Sequence, residues 1–74
     1  MSIERVVEKI KENSLAEAVQ LSEELRKMGV PITSIRSGIY NLFQQYKHSD
    51  RKRAEQIAEV FGEDYKFKYW LKFG

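Results

Sequence analysis

The sequence predicts a mostly α-helical fold, a small bundle of four short helices followed by a C-terminal aromatic β-strand or extended tail. Three observations support this fold class. Apolar residues recur at helical spacing, capping and glycine signals divide them into four segments, and the end of the chain alternates between two kinds of side chain. The 74 residues suffice for one domain, with residues 1–62 as the helical bundle and 63–74 as the aromatic and basic strand.

The first two helices are predicted from capping signals and apolar stripes. Ser2 is placed to cap the first helix, and Ser14 with Glu17 forms a capping-box pattern before the second. The second helix is predicted to end near Met28, with Gly29 in the left-handed position that follows a helix. The predicted inward residues of the two helices are Ile3, Val6, Val7, Ile10, Leu15, Ala18, Val19, Leu25 and Met28.

The third and fourth helices follow a proline. Residues 30–32 are predicted to form an extended connector, because proline disfavours helical backbone in the residue before it. Thr33 or Ser34 is then expected to cap the third helix, and Ser49 the fourth. A glycine inside the third helix, Gly38, indicates a close backbone approach. The predicted inward residues are Ile35, Ile39, Leu42, Phe43, Tyr46, Ala54, Ile57, Ala58 and Phe61.

The segment 63–74 has a period of two. Its apolar set is Tyr65, Phe67, Tyr69, Leu71 and Phe73, and it alternates with Lys66, Lys68, Trp70 and Lys72. This pattern favours a strand with one apolar and one basic face, and a helix built on Phe67, Trp70 and Leu71 is the weaker alternative. A lone strand leaves its backbone unpaired, so the segment is predicted to pair with a second copy of itself in an antiparallel homodimer. The alternative is a monomer in which the tail folds back along residues 30–32 or packs as an irregular aromatic segment.

Composition bounds the function. Apolar residues make up 42% and charged residues 32% of the chain, as in soluble globular domains, and no apolar stretch is long enough to span a membrane. The absence of cysteine is typical of a reducing compartment, so a cytoplasmic location is expected. His48 is the only histidine, which excludes metal motifs with two histidines and most histidine-based triads. We therefore predict a protein that is not an enzyme and has no catalytic residues, metal or cofactor.

Basic charge is concentrated in the second part of the chain. Residues 29–74 carry eight basic and five acidic side chains, whereas residues 1–28 carry five and six. The outer face of the third helix has the side-chain types that contact phosphates and base edges. We therefore predict a nucleic-acid-binding surface composed of Arg36, Ser37, Tyr40, Asn41, Gln44, Lys47, Arg51, Lys52 and Arg53.

The last three residues of that set are placed unusually for cations. Arg51, Lys52 and Arg53 fall in the predicted first turn of the fourth helix, where the helix dipole disfavours positive charge. A phosphate contact explains this placement, and an ion pair between Arg51 and Glu55 is the structural alternative.

Residues 21–43 carry a family resemblance. Gly29-Val30-Pro31 matches a Gly-Leu-Pro pattern, Arg36 takes the place of a lysine that opens the next helix, and Ile39 and Phe43 fall on buried leucines. In these positions the segment resembles the SAP domain and its relatives, the LEM and other helix-extension-helix modules.

The resemblance covers about a third of the chain and has two departures. Ser34 stands where the SAP pattern usually has glycine, and Gly38 is unexpected within the helix. The resemblance implies DNA binding, with Arg36 and the start of the third helix on phosphates.

Two functions are therefore predicted. The first is a non-enzymatic regulatory module that binds nucleic acid, most readily DNA, through the third helix and the basic start of the fourth. The alternative is a small adaptor or inhibitor of the phage or plasmid kind, which binds a host protein through its aromatic tail. The predicted partner interface consists of Tyr65, Phe67, Tyr69, Trp70 and Phe73. The basic face of the tail is also suited to single-stranded nucleic acid, with packing of Trp70 on the helices as the alternative.

Overall fold

The computed structural model describes residues 2–73, so Met1 and Gly74 lie outside the description. These residues form five α-helices and one turn of 3-10 helix, which confirms the mostly helical small bundle. The helices are α1 (Ile3–Lys11), α2 (Leu15–Lys27), α3 (Ile32–Ser49), α4 (Arg51–Phe61) and α5 (Phe67–Phe73), with the 3-10 turn at Glu63–Tyr65.

Left-handed residues end the first two helices. Asn13 has φ 64°, and the next amide, that of Ser14, donates to the carbonyl of Lys9 at 2.8 Å. Gly29 has φ 97°, which confirms its predicted left-handed position, and the following N–H donates to the Leu25 carbonyl at 3.0 Å. This is the hydrogen-bond pattern of a Schellman ending, and it reverses the chain within a few residues.

Ser2 and Ser14 occupy the predicted N-cap positions of α1 and α2, but their side chains make no capping hydrogen bond. The capping-box prediction is wrong for Glu17, whose carboxylate lies 2.9 Å from Lys9 Nζ. Glu17 of α2 therefore pairs with Lys9 of α1 and does not accept a hydrogen bond from the amide of Ser14.

The predicted caps of α3 and α4 are also wrong. Pro31, with φ −64° and ψ 147°, is the N-cap of α3, so the helix begins at Ile32. α3 therefore includes Ile32, the predicted end of the connector, and the two predicted caps, Thr33 and Ser34. The fixed φ of proline already suits the residue that precedes a helix. Ser49 belongs to α3, where its hydroxyl donates to the Gln45 carbonyl at 2.7 Å. The N-cap position of α4 falls to the next residue, Asp50.

The core fills the space between the helices. Its buried residues are Val6, Ile10, Ala18, Leu25, Ile35, Ile39, Leu42, Phe43, Ala54, Ile57, Ala58, Phe61, Tyr65 and Phe67. Met28 was expected inside but is 67% exposed, because it lies past the last turn of α2. A Cβ added at Gly38 would overlap Cγ2 of Ile3, which confirms the predicted close approach, here between α3 and α1. None of the helices in residues 2–73 has the length and apolar composition needed to cross a membrane.

The predicted C-terminal strand is wrong, and residues 2–73 contain no strand. Lys66 adopts a left-handed conformation (φ 62°) after the 3-10 turn, and α5 then turns its apolar side chains Phe67, Trp70 and Leu71 toward the bundle. A helix satisfies its own amides without a second chain, whereas a strand here has no partner within the described residues. It also buries Phe67 completely, with its ring centroid 4.8 Å from that of Phe43.

Candidate nucleic-acid interface

The outer face of α3 carries the first part of the predicted site. Ser37, Tyr40 and Asn41 are exposed, and Arg36 and Gln44 are half-buried. Because the inward positions are taken by Ile35, Ile39, Leu42 and Phe43, the helix holds this polar face away from the core. The Nε2 atom of Gln44 is buried and has no hydrogen-bond partner among the described residues.

α5 brings the only tryptophan onto this face. The ring of Trp70 meets that of Tyr40 edge to face, with a centroid distance of 4.9 Å and an interplanar angle of 87°. The guanidinium carbon of Arg36 lies over the indole, 5.6 Å from its centroid. Tyr40, Trp70 and Arg36 thus form a stack of the kind in which a ring's negative face attracts a cation.

A shallow pocket lies beside this stack. It has a volume of about 540 Å³ and is lined by Arg36, Lys66, Tyr69 and Trp70, none of them acidic. Tyr69 is 59% exposed, and Lys66 is exposed at the left-handed turn that starts α5. The pocket therefore offers two aromatic rings and two cations to the solvent.

Two cations of the predicted site are used to hold α5. Lys47 Nζ donates to the Trp70 carbonyl at 2.7 Å, and Arg51 Nη2 donates to the Leu71 carbonyl at 3.1 Å. Both carbonyls lie in the last turn of α5, where helical carbonyls have no intrahelical partner and the dipole favours positive charge. Arg51 also makes the predicted contact with Glu55, at 3.9 Å.

Arg53 has the same role at another helix end. Its guanidinium donates to the carbonyl of Lys11, the last residue of α1, at 3.0 Å and to the Tyr46 hydroxyl at 3.1 Å, with Cζ 4.7 Å from the Tyr46 ring centroid. Lys52, between the two arginines, is exposed. The cations in the first turn of α4 are therefore explained largely by the C-terminal carbonyls of neighbouring helices.

The predicted aromatic interface is divided by the fold. Tyr65 and Phe67 are 5% and 0% exposed and lie in the core, so they are not accessible to a partner. Trp70 is half-buried. Tyr69 and Phe73 remain exposed and contact each other with ring centroids 5.0 Å apart. They border a groove of about 510 Å³ between α4 and α5 that also holds Glu59, whose carboxylate pairs with Lys68 at 3.2 Å.

Charge is distributed unevenly over the bundle. α3 and the segment 66–73 together contain five lysine or arginine residues and no aspartate or glutamate. The acidic side chains lie on α1, α2 and α4, on the junction between α1 and α2, and on the junctions that flank α4. On the described surface, the face shared by α3 and α5 therefore carries cations, and neither of these two helices carries an acidic side chain.

The sequence pattern did not indicate that Lys66, Tyr69 and Trp70 form one site with Arg36 of α3. The signal was present in the helical spacing of Phe67, Trp70 and Leu71, which turns Trp70 toward α3 once residue 66 starts a helix. Within residues 2–73 there is no group of three or more histidine, cysteine or acidic side chains suited to hold a metal ion.

Comparison of the chain with protein-family models, curated proteins and solved structures finds no significant match.

Proposed function

We propose that this protein is a small nucleic-acid-binding module and that it binds through the face shared by α3 and α5. The observation that supports the proposal most strongly is the pocket without an acidic lining residue, in which Arg36 lies over Trp70 beside Lys66 and Tyr69, with Tyr40 edge to face against Trp70. Cations flanking exposed aromatic rings provide the two contacts that nucleic acids offer, phosphate charge and base faces.

The binding surface proposed here is narrower than the set of residues indicated by the sequence. Lys47, Arg51 and Arg53 contact backbone carbonyls, so they contribute to the electrostatic field but are not free to follow phosphates. Arg36 and Lys66, which line the pocket, remain as the phosphate contacts, with Ser37 and Asn41 exposed on α3. The resemblance of residues 21–43 to SAP modules supports the same class of partner.

Fluorescence anisotropy with labelled DNA, both duplex and single-stranded, tests this function at low salt. Binding led by phosphates must weaken steeply as salt rises. The variant Arg36→Gln/Lys66→Asn, which removes both cations of the pocket, is expected to lose most of the affinity and to reduce the salt slope by about two. Lys11→Gln/Lys27→Gln, which removes the same charge from the exposed surface of α1 and α2, is the matched control and should bind like the wild type.

Asparagine is chosen at position 66 because it tolerates the left-handed conformation better than most residues. Absence of binding to both forms of DNA at low salt would reject the function. Equal losses in the two double variants would show that net charge alone, and not this face, carries the binding.

Recognition of a protein partner is a second candidate function, favoured by the exposed pair Tyr69 and Phe73. These side chains are 59% and 72% exposed and lie together at the end of α5. Aromatic residues exposed in this way are typical of interface centres. Affinity capture with the wild type and with Phe73→Ser distinguishes this function, because Phe73 is outside the pocket formed with Arg36.

A further inference from the structure

We propose that the face shared by α3 and α5 takes single-stranded nucleic acid, and that an unpaired base enters the pocket lined by Arg36, Lys66, Tyr69 and Trp70. This inference rests on the proposed function and specifies its substrate class. Three observations support it: the shape of the site, the chemistry of its four lining residues, and the hydrogen bonds that tie the neighbouring cations to backbone carbonyls.

The shape of the site disfavours a duplex. A helix that reads a duplex enters the major groove, which is about 12 Å wide, as a protruding ridge. The outer face of α3 is not a free ridge at this point, because the Trp70 ring lies 4.9 Å from that of Tyr40 and the Arg36 guanidinium lies over the indole. Arg36 instead lines a pocket of about 540 Å³ together with Lys66, Tyr69 and Trp70, and a pocket with aromatic lining accepts a base that has left the stack.

The lining residues match the parts of one nucleotide. Tyr69 is 59% exposed and presents a ring on which a base can stack, in the same pocket as Trp70. The guanidinium of Arg36 is held over the indole at 5.6 Å, so it is already oriented by an aromatic partner before a ligand arrives. Lys66 is exposed, lines the same pocket and supplies a phosphate contact. Stacking needs no particular base, so we expect little sequence preference.

The neighbouring cations point the same way. A protein that follows a duplex uses phosphate contacts on both sides of its recognition helix. At the C-terminal end of α3 the corresponding cations, Lys47, Arg51 and Arg53, donate to the carbonyls of Trp70, Leu71 and Lys11. Lys66 makes no such contact within the described residues, and it lies at the start of α5, where a single strand passing over Tyr69 would meet it.

The single tryptophan makes the test direct. Intrinsic fluorescence of the full chain is titrated with oligodeoxythymidylate and oligouridylate of about 12 nucleotides, and with a DNA duplex of the same length. We expect both single strands to quench Trp70 and to bind at least about tenfold more tightly than the duplex. Tyr69→Ala should weaken single-strand binding about 5- to 150-fold, the range for loss of one stacked base.

Met28→Ala is the control, because it removes an exposed apolar side chain that follows α2 and does not line the pocket. It should leave single-strand affinity within about twofold. Circular dichroism establishes that each variant is folded, and Lys66→Asn provides a second test of the pocket through its reduced salt slope. Binding by either the deoxy or the ribo strand supports the inference.

The outcomes separate the two levels of the proposal. A duplex bound as tightly as the single strands, without quenching of Trp70, overturns the single-strand inference and leaves nucleic-acid binding in place. Single-strand affinity that falls equally in Tyr69→Ala and Met28→Ala overturns the pocket as the binding site. No binding of any of the three probes at low salt overturns both the inference and the proposed function.

Discussion

Gly38 shows how one residue sets the distance between two helices. Glycine inside a helix usually costs about 0.5–1 kcal/mol relative to alanine, so Gly→Ala in an exposed helix is normally stabilising. In this protein a Cβ at position 38 would overlap Cγ2 of Ile3, and α1 would have to move away from α3. The residue is therefore explained by packing and not by turn formation.

We predict that Gly38→Ala destabilises the protein by about 1 kcal/mol, because an overpacking cost of about 1–3 kcal/mol exceeds the gain in helix propensity. In an Ile3→Ala background the overlap is removed, and the same substitution should stabilise by about 0.5–1 kcal/mol. Urea unfolding of the four proteins of this double-mutant cycle measures the coupling. Equal effects of Gly38→Ala in both backgrounds would show that the contact with Ile3 carries no cost.

Tyr65 is the buried titratable group of the core. Burial is the main cause that raises the pKa of its phenol above the ordinary value of 10.0. A pKa that is higher in the folded than in the unfolded protein favours folding below the unfolded value, and this contribution is lost as the pH rises through the folded value. Lys9 acts in the same direction, since its hydrogen bond with Glu17 raises the lysine pKa from 10.5.

We predict that the free energy of unfolding falls above about pH 10 and that Tyr65→Phe makes this fall less steep. Lys9 titrates equally in the two proteins, so their difference reports on Tyr65 alone. Unfolding midpoints measured from neutral to alkaline pH check the prediction, with the exposed Tyr69→Phe as the control. Parallel pH profiles for wild type and Tyr65→Phe would contradict it.

At the scale of elements, the C-terminal segment shows the limit of periodicity as a guide. Residues 65–73 do alternate as a strand does, but Phe67, Trp70 and Leu71 also have helical spacing. A segment this short cannot distinguish the strand period of two from the helical period of 3.6. The decisive facts are tertiary: a cavity beside Phe43 that takes Phe67, and cations at the end of α3 and the start of α4 that reach the last carbonyls of α5.

α1 to α4 were predictable because each has an apolar stripe of sufficient length and a clear stop signal, as at Gly29 and Gly62. The N-caps of α3 and α4 were not predictable, because serine and threonine are favoured at an N-cap without being obligatory there. Pro31 is the N-cap of α3 in place of Thr33 or Ser34, and Asp50 is the N-cap of α4 in place of Ser49.

We predict that Lys47→Met destabilises the bundle by about 1–2 kcal/mol, because it removes a charged donor from the Trp70 carbonyl. Arg51→Gln, whose hydrogen bond is exposed, should cost less than about 1 kcal/mol. Urea unfolding followed by Trp70 emission provides the measurement, since α5 carries both the fluorophore and the lost contact. Lys52→Met, on the same exposed turn, is the control and should stay within about 0.5 kcal/mol of wild type. A loss in Lys52→Met as large as that in Lys47→Met would contradict the capping role.

At the scale of the whole molecule, the sequence predicted the basic excess of residues 29–74 but not which of its cations bind helix ends and which are free. The polar face of α3 was visible from spacing alone, as was the basic excess of residues 29–74. Which cations are free depends on distances between helix ends, such as Arg53 to Lys11, residues far apart in sequence. The stack of Arg36 on Trp70 likewise joins positions whose proximity no local pattern encodes.

The homodimer predicted from the strand loses its original reason, because α5 satisfies its own backbone. The exposed rings of Tyr69 and Phe73 provide a different one, an apolar contact between two copies of α5. Such a contact brings Lys68 and Lys72 of one copy close to the same residues of the other, and like charges repel. Salt screens this repulsion, since the Debye length falls from about 10 Å at 0.1 M to about 3 Å at 1 M.

We therefore predict a homodimer that strengthens as salt rises, the opposite of the salt dependence expected for nucleic-acid binding. Sedimentation equilibrium at micromolar concentration and at two salt concentrations measures both the mass and its trend. Tyr69→Ser/Phe73→Ser should be monomeric at both, because it removes the apolar contact and keeps every charge. A single-chain mass at all salt concentrations would exclude the dimer, and a dimer retained in the double variant would place its interface away from Tyr69 and Phe73.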